Sequence, residues 1–118
     1  MGSTAFTRVA YGKNADEAYN AACEDAQSEN GYQDGYSGDL NAKSGFLLVE
    51  TPPDVDLSRW LNALKCGKLP RNLEMYSNEF QRQFEIYVDK WEPALCYEVF
   101  DKQKRPENKY IFVGYAPE

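Results

Sequence analysis

The side chains best suited to chemistry or recognition cluster in the stretch GYQDGYSGD, where Tyr32, Tyr36, Ser37 and Asp39 alternate with Gly31, Gly35 and Gly38. Tyrosine offers a broad ring with a polar tip, and glycine lets a backbone turn sharply or approach another group closely. The set reads as a recognition surface. Its tyrosines also read as a plug that fills the gap between a helix end and a sheet, the commoner use of an aromatic in such a loop. A further alternative is a small enzyme that uses a carboxylate or tyrosine of this loop; the chain has no histidine. That absence removes the commonest general base near neutral pH, and with it Ser-His-Asp and Cys-His arrangements within the chain. Cys23, Cys66 and Cys96 have no close spacing. They predict free thiols in a reducing cytosol and no zinc site. No cofactor is implied. GYQDGYSG lacks the lysine and the strand-to-helix order of a phosphate-cradling loop. A second cluster, Lys102, Lys104, Arg105 and Lys109 around Pro106, reads as a phosphate-contacting finger or as the charged tip of a soluble hairpin.

The elements that must position these residues start with a helix. Asn14 is a good N-cap, and Glu17 three residues on completes a variant of the capping box. Ala15, Ala18, Tyr19, Ala22, Cys23 and Ala26 recur at helical spacing. Because most are alanine, the face is flat and suits close packing on a sheet. Glu17, Asn20, Glu24, Gln27 and Ser28 fall on the opposite side, and Asn30-Gly31 is a helix stop.

Charge follows the same division. The formal net charge is −6, and residues 1–40 hold two basic and seven acidic side chains, so −5 of it lies there. Such a face repels nucleic acid and attracts a basic protein surface; it also serves plain solubility.

The pattern GKNADEAYNAACEDAQSENGYQDGYSGDLNAKSGF, with KWEPALCYEVF and YIFVGYAPE later, resembles a family of small proteins from phages and mobile elements. Shared features are an alanine-rich helix, a Gly-Tyr-Ser-Gly turn, a Lys-x-Gly-Phe hairpin and an aromatic-Gly-x-Ala end. The resemblance implies a phage-encoded protein acting inside a bacterial cell. It supplies no catalytic residue.

Elsewhere, Thr4 to Tyr11 reads as a first strand. Leu40–Ala42 and Phe46–Val49 read as an antiparallel hairpin around Lys43-Ser44-Gly45, with the second strand central because it is apolar on both faces. Leu57, Trp60, Leu61 and Leu64 predict a buried helical stripe ended by Gly67 and Pro70. A third helix is expected from Asn72 to Lys90. Met75, Tyr76, Phe80, Phe84, Tyr87, Val88 and Trp91 line its buried or dimer-forming stripe, and Gln83 falls on the wet side. Leu95–Phe100 and Tyr110–Tyr115 predict a terminal hairpin.

The 118 residues fit one domain with one core. The order β-α-β-β-α-α-β-β predicts a single α+β domain over 1–118: a mostly antiparallel sheet of about five strands with helices on one face. No apolar run approaches the ~18 residues that span a bilayer, and no secretory signal is evident, so a cytoplasmic site in the host cell is expected. The functional expectation is a non-enzymatic, acidic protein, monomer or homodimer. It would bind and modulate, by inhibition, a host protein or defence complex, such as a CRISPR or restriction complex, through Glu17, Glu24, Tyr32, Tyr36, Ser37 and Asp39. The alternative is a nucleic-acid accessory protein using the 102–109 tip.

Overall fold

The computed structural model describes residues 3–30, 40, 43, 45–52, 54–99 and 108–117. Its elements are β1 (Ser3–Gly12), α1 (Ala15–Asn30), β2 (Phe46–Leu48), α2 (Leu57–Cys66), a 3-10 helix (Arg71–Tyr76), α3 (Ser77–Val88), β3 (Ala94–Val99) and β4 (Asn108–Pro117). The chain forms an α+β domain around a four-stranded sheet of order β1-β4-β3-β2. β4 pairs antiparallel with β1 and β3, whereas β2 pairs parallel with β3.

Alternation along β3 and β4 decides the layering. Ala94, Cys96, Phe112 and Ala116 point to one side and pack with Ala18 and Ala22 of α1. Leu95, Tyr97 and Val113 point to the other and pack with Trp60, Leu64, Phe80 and Tyr87 of α2 and α3. Both faces of the central strands are apolar, so both must be covered. The helices therefore lie on two sides of the sheet, not on one as the element order suggested.

α1 forms as its sequence dictates. The Glu17 amide donates to Asn14 Oδ1 at 2.9 Å, and Ala18, Ala22 and Ala26 are buried. Gly12 makes the close approach possible: a Cβ there would lie 2.6 Å from the Ala18 nitrogen. Gly12→Ala is expected to push the first turn of α1 off the sheet at about 1–3 kcal/mol. A thermal melt should then show Tm lower by roughly 4–15 °C.

Three expectations are corrected. Phe46–Leu48 is an edge strand, not a central one, and its partner is the parallel β3. Its apolarity on both sides arises because Phe46 packs on Tyr19 and Phe112, with ring centroids 5.0 and 5.8 Å away, while Leu47 and Leu48 are exposed. Leu40 lies in a 3-10 turn, so the expected hairpin with β2 is not formed by the described residues; Ala42 and Ser44 lie outside them. The third helix is split at Ser77. A tighter 3-10 turn carries Leu73 inward and leaves Met75 in solvent, and Val88 and Trp91 are exposed beyond the core stripe.

α2 ends as expected. Gly67 adopts φ 72°, and the amides of Gly67 and Lys68 both donate to the Ala63 carbonyl. A left-handed glycine after the last turn supplies this closure without a Cβ penalty.

Candidate functional site

The outer face of α1 is the part of the expected site that the structure describes. Glu17 and Glu24 are both exposed. Seven residues make nearly two turns, so they stand on one stripe about 10 Å apart along the axis. Asp16 and Asp25 flank them and are also exposed. α1 contains no lysine or arginine, and its last turn has no basic residue. The opposite, alanine-rich face is spent on the sheet.

Tyr32, Tyr36, Ser37 and Asp39 lie outside the described residues, as do Lys102, Lys104 and Arg105. Lys109 belongs to β4, not to a loop tip. It is half-buried and pairs with Tyr11 of β1 and Val99 of β3.

Two polar constellations were not anticipated. The first centres on Gln83, which is fully buried, contrary to the wet-side expectation. Its Oε1 accepts from Trp60 Nε1 at 2.8 Å and from the Tyr97 hydroxyl. Its Nε2 donates to the Glu50 carbonyl at 3.2 Å and to Glu79 Oε1 at 2.8 Å. Glu79 also accepts from Arg82 at 2.6 Å. One side chain thus joins α2, α3, β3 and the segment after β2. Burial raises the Tyr97 hydroxyl above its ordinary range, and the Arg82 and Gln83 hydrogen bonds lower the Glu79 carboxyl. A visible signal existed: Gln83 falls three after Phe80 and four before Tyr87, in phase with the apolar stripe.

The second is Lys43, whose buried ammonium donates to the carbonyls of Asp89 at 3.2 Å, Lys90 at 3.1 Å and Tyr115 at 2.7 Å. Three donors meet three acceptors, which fixes the α3–β3 connection against the end of β4. Burial pulls the amine down to about 8, against the opposing fields of Asp89 and Glu92. Nothing local in the sequence marks this lysine, since its partners lie 46, 47 and 72 residues away.

Beside the Gln83 network, a cleft of about 510 Å³ opens at the carboxyl ends of β2 and β3. Its walls include Val49, Val55 and Leu57, and Glu50, Asp56 and Glu98 also line it. Tyr97 forms part of the wall, with its hydroxyl turned to Gln83.

Among the described residues, no helix is long and apolar enough to cross a membrane. No family model, curated protein or solved structure matches this chain.

Proposed function

We propose that this protein is a small non-enzymatic binding protein whose acidic α1 face docks on a basic surface of a bacterial host protein, and inhibits it by occupying that surface. The family resemblance supports a phage-type origin and a target in the host cell, such as a defence complex.

The observation that carries this reading is the charge pattern of α1. Acids at Asp16 and Glu17 suit the positive end of the helix dipole. The later acids have no such use. Glu24 and Asp25 stand beyond the first turn, where the positive end of the dipole no longer acts. No base meets the negative end of the dipole in the last turn. Helix stability therefore gives no reason for this run of carboxylates, whereas a cationic partner does.

Affinity capture from a bacterial lysate tests it, followed by rebinding of the purified captured protein. Wild type should retain a partner in a salt-sensitive manner. Reversing Glu17 and Glu24 together to lysine should weaken rebinding by roughly tenfold or more. Equal rebinding by wild type and the reversed variant would overturn the proposal.

A further inference from the structure

The outer edge of β2 and the cleft beside it form a second surface, lined by none of the α1 residues. β2 is terminal in the sheet. The Val49 amide donates to the Cys96 carbonyl, and the Ala94 amide donates to the Gly45 carbonyl. Residues 45, 47 and 49 thus direct their backbone groups to β3. By the alternation of a strand, Phe46 and Leu48 direct theirs away from the sheet. Such an edge is usually blunted by lysine, proline or a covering segment. Here Leu48 is 52% exposed and Leu47 is 37% exposed.

The chain then runs straight into the cleft wall at Val49 and Glu50. The cleft has apolar walls and three carboxylates, and among the described residues no basic side chain lines it. Glu50 and Glu98, which follow the paired Leu48 and Cys96 by two residues each, both line the cleft and are exposed. Like charges on neighbouring strands repel, and no ion pair relieves either of them among the described residues. An incoming cation would relieve both.

We propose that this edge and cleft take an extended segment of a partner protein: its backbone pairs with Phe46 and Leu48, and a lysine or arginine lays its aliphatic stem on Val49 and Val55 with its charged head among Glu50, Asp56 and Glu98. Strand addition of this kind takes affinity from main-chain hydrogen bonds and specificity from side-chain pockets. Long basic side chains suit a site that is apolar below and charged at the rim. The site is independent of the α1 reading.

Selection of a displayed random heptapeptide library on the intact protein tests this. The expected result is enrichment of peptides with a basic residue flanked by β-branched residues. Synthetic copies should bind the Glu50→Lys/Glu98→Lys double variant at least about tenfold more weakly. They should also bind Leu48→Pro more weakly, because proline there removes an amide that no strand of this sheet uses. Circular dichroism of each variant separates lost binding from lost folding, and the double variant keeps the test open if Leu48→Pro does not fold. Glu24→Lys on α1 should leave peptide binding unchanged, so failure here and failure of the α1 proposal are distinguishable. The proposal is overturned by an absence of selected binders, by acidic or neutral consensus sequences, or by equal affinity for the double variant. A concentration-dependent dimer abolished by Leu48→Pro would also overturn it, because the occupant would then be a second copy of this chain.

Discussion

Lys43→Met is expected to destabilise the protein by about 2–4 kcal/mol, because the Lys90 and Tyr115 carbonyls lose this donor together, while the Asp89 carbonyl keeps the Glu92 amide. Methionine preserves most of the stem's packing, so the loss isolates the polar head. Urea unfolding followed by tryptophan fluorescence measures it, with a lower midpoint and an unchanged slope.

The pH dependence supplies a second reading of the same side chain. The amine sits at about 8 in the fold against 10.5 ordinarily. Between those values the unfolded chain holds a proton that the folded chain has released. The Lys43 contribution therefore rises with pH across that window, and is lost as pH falls through 8. Cys96 acts in the opposite sense. Burial raises its thiol to about 12 from 9. Above pH 9 the folded state keeps a proton that the unfolded state gives up, so this contribution falls with pH. The hydroxyls of half-buried Tyr19 and buried Tyr97 are also raised and add to that fall at higher pH. Wild type should gain stability from pH 8 to 9 and lose it at higher alkalinity. Lys43→Met should show the loss without the gain. A midpoint that rises equally in both proteins would place the effect elsewhere.

Gln83→Leu is expected to have an effect of similar size, roughly 2–4 kcal/mol. Leucine is apolar and fits a buried helical position, so pattern alone would rate it favourable. It nevertheless strips the acceptor from the Tyr97 hydroxyl and a donor from the Glu50 carbonyl, and leaves Trp60 Nε1 with only the Tyr97 oxygen at 3.3 Å. Buried groups left unpaired cost more than the side chain they replace. The Tm should fall by roughly 6–20 °C. The Trp60 indole N–H resonance should shift, since its 2.8 Å acceptor is gone. An unchanged Tm would mean that the network fills space and holds nothing.

These two side chains also show where sequence reading stops. The Asn14 cap, the alanine face of α1, the Gly67 stop and the alternation of β3 are set by neighbours a few residues apart, so they are legible in the chain. The parallel pairing of β2 is not, because an apolar run such as FLLV does not state whether it is central or an edge. Its edge position depends on α2 and α3 returning the chain to β3. Lys43 and Gln83 are legible only in part for the same reason: what satisfies them arrives from distant segments. Gln83 at least stood in phase with Phe80 and Tyr87; Lys43 stood in an ordinary turn. For the proposed binding face, the charge bias was legible and α1 presents it. Glu17 and Glu24 share a stripe because seven residues nearly complete two turns.

The central claim is that the acids of α1 are held for a partner and not for the helix. It is tested most directly by measuring Tm and partner rebinding on one variant, Glu24→Lys/Asp25→Lys. The substitution brings base toward the negative end of a helix whose last turn has none. The account predicts a Tm equal to or above wild type, together with rebinding weakened by roughly tenfold or more. A lower Tm with undiminished rebinding would contradict it, because the carboxylates would then be serving the fold.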